Sequence, residues 1–535
     1  MNGGTAQHFA APSLHAMGRV VLQTLLFLPL VMLQACTTNP VTGESEFTLM
    51  SEAQELKIGE QYYLPTQQSQ GGVLKIDPAL SAYVSEVGQR LAAVSDRELP
   101  YEFVVLNSSI PNAWALPGGK IAVNRGLLTT LENEAELAAV LGHEVVHAAA
   151  RHTAQAQTRG MLLQGALLGS MIGAQGSDYA NLIMAGASLG AQLITQRYGR
   201  DAERESDYYG IDYMLRAGYD PNASVTLQEK FLALAQDRGR NPSWFEGLFL
   251  SHPPSSERIE NNQQKVAGLE LAGRDLELGE SRYQQAVARL AEAAPAYDLL
   301  DGAYREIQQD DLEEAMAKLR RANAMLPQEA RFDGLRGDIL LKQQRYREAV
   351  ATYTAALAKD DEYFTYYLGR GVANARLGER VAAKADLERS AKLLPTATAA
   401  MELGDLALAG NDRAAAKEYY RVAAQAGGDV SKRAAVAYTR LDMQENPASY
   451  FRVRSATDER GRLLAQVTNA SPVSADGVQI EFRILVSGRV KSGVRRIGTL
   501  ASGESRVVDA GVRLPAELAG DPGKYDARVI AARAR

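Results

Sequence analysis

The sequence predicts a multidomain chain of three folded parts: a mainly α domain with a small sheet, an α-solenoid, and a C-terminal β-sandwich. Three observations carry that expectation. A few β-rich runs sit within helical periodicity between residues 100 and 215, small residues return every 34 positions after about residue 270, and short alternating runs separated by turns begin near Pro447. The length of 535 residues agrees, because one hydrophobic core stops growing well before that size. A formal net charge of -6 with 23% charged residues lacks the basic excess that nucleic-acid binding needs, so no nucleic-acid partner is expected.

The N-terminus reads as a targeting segment. The first 43 residues hold no acidic residue and no lysine, and Arg19 precedes an apolar run from Val20 to Leu33. That run is short for a bilayer-spanning helix and has the proportions of a secretory signal core, so residues 1–35 are expected to be a signal peptide. It ends in LQAC, with Cys36 the only cysteine of the chain. This ending resembles the lipobox of bacterial lipoproteins, which implies lipid attachment at Cys36. Thr37, a non-aspartate in the next position, resembles the outer-membrane signal of Gram-negative lipoproteins and implies a periplasmic protein attached to the outer membrane. With one cysteine no intrachain disulfide forms, and stability has to come from packed cores.

Residues 36–270 are expected to form the first domain. TTNPVTGESEF is a polar, turn-rich tether, and Ser51 with Gln54 makes a capping box that opens a helix from about Glu52 to Tyr62. YEFVVLN (101–107) and KIAVN (120–124) read as strands separated by the loop PNAWALPGG. Asn133, with Glu136 three residues on, starts a long helix carrying LGHEVVHAAARH (141–152). On that helix His143 and His147 lie one turn apart on nearly one face, where two imidazoles converge on a single ion. Glu144 is placed to act as a base on water without being a ligand, the division of labour of the H-E-x-x-H motif of zinc metallopeptidases. His152, nine positions after His143, is expected on the opposite side of the helix.

A catalytic zinc takes three protein ligands and keeps one position open. A histidine six residues after His147 would complete a metzincin pattern, but Thr153 stands there. The third ligand is therefore sought in RDAERESDYYGIDYM (200–214), where Glu203 and Asp207 share a helical face. Glu203 is the candidate ligand; Asp207 is the candidate acceptor for the free imidazole nitrogen of a ligating histidine.

HEVVH, ERESD, NAWALPGGKIAVNRGLL and SHPPSSERI (251–259), in this order and approximate spacing, resemble the HtpX-like and CAAX-prenyl-endopeptidase group of zinc metallopeptidases. CTTNPVTG resembles its soluble periplasmic lipoprotein branch. The resemblance covers residues 36 to about 270. It implies zinc held by His143, His147 and Glu203, with Glu144 as catalytic base. It also implies that His252 lies near the metal, either steadying the oxyanion or filling the open coordination position in a self-inhibited state. Ser206 stands where the group usually has alanine. KIAVN is expected to hold substrate as an added β-strand. MLLQGALLGSMIGA (161–174) and NLIMAGASLGAQLI (181–194) are each shorter than a spanning helix and read as a buried hairpin or a lid.

Residues 271–440 are expected to form the solenoid. Ala315, Ala349 and Ala383 are spaced by 34, as are Ala322, Ala356 and Ser390, and Gly337 and Gly371 repeat the interval. This is the signature of tetratricopeptide repeats, about three and a half of them, with a further unit near Gly404 to Ala423 out of phase by one. The cluster Tyr363, Phe364, Tyr366 and Tyr367 either lines the concave groove or packs between repeats, the commoner role. Residues 447–535, with runs from YFRVRSA to YDARVIAA, predict a sandwich of six or seven strands without site chemistry.

The expectation is a zinc-dependent endopeptidase with one Zn2+ per chain, anchored by lipid at the periplasmic face of the outer membrane. It would degrade misfolded or misassembled envelope proteins, with the repeats docking it onto a substrate or the outer-membrane assembly machinery. A rival reading is a tetratricopeptide-repeat chaperone or assembly factor with a latent, self-inhibited peptidase domain.

Overall fold

The structure, a computed structural model, describes residues 36–165, 198–236 and 247–535. The expected signal peptide and all but the first residues of the two apolar stretches lie outside the described residues. The described chain divides into two compact units, the first ending at Asp301 and the second beginning at Gly302.

The first unit begins with a hairpin in which β1 (Cys36–Thr38) pairs with β2 (Ser45–Phe47), Cys36 standing opposite Phe47. NPVTG makes its turn: Asn39 Oδ1 accepts from the amides of Val41 and Thr42, and Gly43 has a φ of 75°. The segment expected as a polar, turn-rich tether is a hairpin, with its turn at NPVTG. The following helix, Glu52–Ser69, opens with the Ser51–Gln54 capping box and runs past Tyr62, because Thr66, Gln67 and Gln68 are buried in its last turns.

β3 (Glu102–Leu106), β4 (Ala113–Leu116) and β5 (Lys120–Asn124) form a sheet in the order β3-β5-β4, with β5 parallel to β3 and antiparallel to β4. The sequence placed β4 in a loop, since four residues flanked by proline and glycine give too short an alternation to read. β5 is the central strand with both edges paired, so KIAVN has no edge for an added strand, and that expectation is corrected. The edge strands are β3, bridged on its outer side by Val73 at Leu106, and β4, which pairs only with β5 among the described residues, although its four side chains are buried.

The Glu134–Ala149 helix is buried along its whole length, as expected for a segment apolar on nearly every side. Its acidic start is neutralised locally: Glu134 accepts from Tyr83, Tyr219 and Arg282, and Glu136 from Lys230. It meets the Arg200–Arg216 helix glycine against glycine. A Cβ on Gly142 would lie 3.3 Å from the Gly210 carbonyl oxygen, and one on Gly210 would lie 3.3 Å from the His143 nitrogen. The helix stops short of His152. Arg151 turns left-handed, with a φ of 63°, and a new helix spans His152–Gly165. Arg151 is held there by its buried guanidinium, whose Nε is 2.6 Å from Glu55 Oε1 and whose Nη2 is 2.7 Å from the Met50 carbonyl.

The change of texture near residue 270 is not where the units divide. The Glu280–Gln308 helix contributes its residues up to Asp301 to the first unit, with Arg282 bound to Glu134 and the Tyr283 hydroxyl donating to the Leu128 carbonyl. An alanine-rich helix does not announce which neighbour it packs on.

In the second unit the Leu312–Met325 helix precedes three helix pairs: Ala330–Lys342 with Tyr346–Lys359, Phe364–Leu377 with Arg380–Leu393, and Ala397–Ala409 with Arg413–Ala424; Gly428–Asp442 closes the array. The pairs start at Ala330, Phe364 and Ala397, intervals of 34 and 33, which is the phase shift read at Gly404. In each pair a glycine admits a large side chain of its partner helix: Gly337 faces Tyr353, Gly371 faces Leu387, and Gly404 faces Tyr420. The Tyr353 hydroxyl donates to Asp338 at 2.6 Å and that of Tyr420 to Asp405 at 2.7 Å. In the middle pair Leu387 replaces the tyrosine, and Val372 stands where the acid would be. Tyr363 and Tyr366 are buried with Tyr353 and Ala373 in packing between repeats, whereas Tyr367 lies between Arg370 and Arg389.

The chain ends in six strands, β6 (Phe451–Thr457), β7 (Arg462–Asn469), β8 (Ala475–Val486), β9 (Arg489–Leu500), β10 (Ser505–Arg513) and β11 (Tyr525–Ala534), forming two sheets, β10-β7-β6 and β11-β8-β9. Their shared core includes Val467, Ile480 and Phe482, and also Met443 from just beyond the last solenoid helix, so solenoid and sandwich form one compact unit. At this junction Asp442 accepts hydrogen bonds from Lys417, Tyr450 and Asn446. Burial pushes its carboxyl up, but these donors outweigh burial and hold it below the usual range. A depressed folded pKa means the stabilisation is present above the unfolded value and is lost as pH falls through the folded one. Asp442→Asn is therefore expected to lower stability by about 1–3 kcal/mol at neutral pH, with the difference from wild type vanishing in strong acid; urea unfolding across pH checks both.

Candidate metal centre

The glycine contact brings three elements to one point. His143 and His147 come from the Glu134–Ala149 helix, Glu203 from the first turn of Arg200–Arg216, and His252 from the end of the short turn Leu248–Ser251. One donor atom from each lies within 4.8 Å of all the others, and all four residues are buried. His143 Nε2 is 3.0 Å from His147 Nε2 and 3.6 Å from Glu203 Oε2; His147 Nε2 is 3.5 Å from Glu203 Oε1. His252 Nδ1 is 3.3 Å from His143 Nε2 and 2.9 Å from Glu203 Oε1.

Tetrahedral zinc with bonds of roughly 2.0–2.2 Å holds its donors roughly 3.3–3.6 Å apart. The measured separations bracket that range, and two imidazole nitrogens this close in a buried site repel unless a proton or cation lies between them. Glu203 Oε2 accepts no hydrogen bond and has an ionic contact with Arg258, which leaves it a lone pair to give. Three imidazole nitrogens and a carboxylate are donors suited to zinc. The residues fit the ion.

The surroundings orient these donors. His143 Nδ1 is 2.9 Å from Asp207 Oδ1, so the nitrogen turned away from the cluster is held by a carboxylate. Arg258 clamps Asp207 through Nε at 2.6 Å and Nη2 at 2.7 Å, while its Nη1 lies 3.1 Å from Glu203 Oε2. Burial alone would raise both carboxyls, but the Arg258 charge and the hydrogen bond with His143 hold Asp207 low. The His252 charge, the close His147 and His252 rings, and the Arg258 charge hold Glu203 well below its usual range. Glu144 differs. Burial raises its pKa more than the facing histidines lower it, and its Oε2 has no partner. His252 Nε2 faces Glu144 Oε1 at 3.6 Å.

His152 is where the sequence reading and the structure part. The helix was expected to continue and carry His152 to the far side; the break at Arg151 instead sets His152 Nδ1 2.9 Å from His147 Nδ1, behind the cluster rather than within it. The Tyr198 ring stacks on His147 at 4.0 Å, and its hydroxyl bonds Thr153. Neither Tyr198 nor Arg258 was singled out from sequence. Arg258 lay inside a quoted segment, and two buried carboxylates at 203 and 207 called for a cation that nothing local identified. A cavity beside Glu144 is lined by Val140, Ile211, Met214, Leu227 and Phe231, with Gln228 among them, its Oε1 lacking a partner. Cys36 stands apart from these residues, at the first position of β1.

Two histidines a turn apart with a glutamate from a second helix, and beside them a buried carboxylate with one oxygen unpartnered, make the site of a zinc metallopeptidase domain. Residues 78–266 match the model of peptidase family M48, and residues 337–378 match that of the TPR repeat, so the chain carries an M48 peptidase domain followed by tetratricopeptide repeats. It is similar to the beta-barrel assembly-enhancing protease of Escherichia coli (strain K12), 30% identical over 236 residues that make up 43% of this chain and 47% of that protein. It is also similar to the mitochondrial metalloendopeptidase OMA1 of Schizosaccharomyces pombe, 32% identical over 224 residues, 41% of this chain and 63% of that one. The chain spans about half the length of the E. coli relative it matches.

Removing the carboxylate behind His143 tests the centre. Asp207→Asn is expected to weaken zinc binding roughly 10- to 100-fold, read by competition with a chelator of known affinity.

Proposed function

We propose that this chain is a zinc-dependent endopeptidase of the Gram-negative cell envelope that cleaves misfolded or misassembled proteins. The observation that carries the reading is the Glu144 carboxylate, buried, raised in pKa and with one oxygen unpartnered, beside a four-residue donor set. Zinc held by His143, His147 and Glu203 would supply Lewis-acid polarisation of the scissile carbonyl and of the attacking water. Glu144 takes a proton from that water and returns it to the leaving amine, so one peptide bond and one water become a carboxylate and an amine. Asp207 and Arg258 keep His143 and Glu203 oriented meanwhile. The free edge of β4, rather than β5, would receive an extended substrate, which favours unfolded chain over any one side chain.

His252 has two roles to choose between, and the geometry favours one. Its Nδ1 stands as close to His143 and Glu203 as the other donors stand to each other, which suits a fourth ligand that caps the metal at rest. His252→Ala is then expected to raise cleavage of an unfolded protein such as casein; a loss of cleavage would assign it to the oxyanion instead.

The proposal extends to a lipid on Cys36 that holds the protein to the periplasmic face of the outer membrane, and to repeats that dock a substrate or the outer-membrane assembly machinery. The names of the E. coli and related proteins support an envelope setting. Glu144→Gln is expected to bind zinc as wild type does and to lose about 10²–10⁴-fold in cleavage rate, and chelation of wild type should give the same loss, reversed by added zinc. A protein whose cellular role survives Glu144→Gln intact would instead be the chaperone of the rival reading.

A further inference from the structure

The hairpin that follows Cys36 is joined to the metal centre by one row of hydrogen-bonding groups, and the proposed chemistry makes no use of it. Asn39 is 1% exposed. Its Oδ1 is committed to the turn, and its Nδ2 donates to two carboxylates, Glu46 Oε1 and Glu205 Oε1, each at 2.9 Å. Glu205 Oε1 in turn faces His152 Nε2 at 3.4 Å, an ion-pair contact, and that buried nitrogen has no hydrogen-bond partner. His152 Nδ1 lies 2.9 Å from His147 Nδ1, with Ser206 Oγ at 3.4 Å.

One placement of hydrogens satisfies the row. His147 turns Nε2 toward the other donors, and to bind a metal that nitrogen must keep its lone pair. Nδ1 then carries the hydrogen and donates it to His152 Nδ1, so His152 carries its own hydrogen on Nε2, toward Glu205. Glu205 stays in place beside Glu46 because the Asn39 amide supplies one N–H to each. An aspartate at position 39 would lack both hydrogens and add a third carboxylate; an alanine would leave Glu205 without its donor.

We infer that Asn39 is a positioning residue of the metal centre, fixing the hydrogen on His147 through Glu205 and His152, so that the anchor-proximal hairpin and the bound metal stabilise each other. The inference rests on the zinc reading of the site. Reciprocity follows from linkage: whatever the hairpin adds to metal affinity, the metal adds to hairpin docking.

The test uses the full chain, with zinc affinity read by chelator competition and hairpin order read by hydrogen exchange at the Val41, Thr42 and Gly43 amides. Zinc is expected to slow exchange at these amides in wild type. Asn39→Ala is expected to weaken zinc about 10-fold, and to weaken it no further in a His152→Ala background, because the row is already cut there. Should Asn39→Ala disorder the hairpin outright, the exchanged pair N39D/E205Q restores a donor and an acceptor, and is expected to bind zinc more tightly than N39D alone. Wild-type zinc affinity in Asn39→Ala, or no gain from the exchanged pair, overturns the inference and leaves the peptidase reading standing. A wild-type chain that binds no zinc overturns both.

Discussion

The site depends on two helices being able to touch backbone to backbone. Gly142 and Gly210 remove the side chains that would otherwise hold the Glu134–Ala149 and Arg200–Arg216 helices apart. Glu203, Asp207 and Gly210 recur at the spacing of one helical face, so the residue that permits contact lies in line with the two carboxylates that use it. An imidazole or a glutamate has a fixed reach. A few tenths of an ångström added between the helices would come directly out of the donor separations, and metal geometry tolerates little of that.

Closeness has an electrostatic consequence. Glu144, Glu203 and Asp207 are all buried within the same few residues as three imidazoles. Arg258 supplies the fixed positive charge among them, and it bridges Asp207 and Glu203 rather than Glu144. The two carboxylates that hold still are paired, and the one given the task of moving a proton is left with a free oxygen. A buried ion pair stripped of one partner costs about 3–5 kcal/mol, so Arg258 belongs to the fold as much as to the chemistry.

What could be read from sequence was whatever one helix encodes by itself. His143, Glu144 and His147 fall within five consecutive residues, as do Glu203 and Asp207, and the 34-residue period of the solenoid is likewise local. The rest depended on partners far along the chain. The helix ends before His152 with neither glycine nor proline to mark the place; the break is held by Arg151 against Glu55, almost a hundred residues earlier. The roles of Arg258 and Asn39 were hidden for the same reason, although both lay inside segments already singled out. β4 was missed because a four-residue strand between turn formers has too few positions for a pattern, and with it went the correct order of the sheet. The composition of the Glu280–Gln308 helix matched the solenoid while its first turns packed elsewhere.

The tyrosines of the solenoid bear on how such an array is inherited. Each phenol bonds an acid on the paired helix of its own repeat, Tyr353 with Asp338 and Tyr420 with Asp405, and the repeat between them has neither member. Gain or loss of a whole unit during duplication carries donor and acceptor as one parcel. Recombination within a unit would separate them and bury an orphaned hydroxyl, so crossover points that survive should fall between repeats.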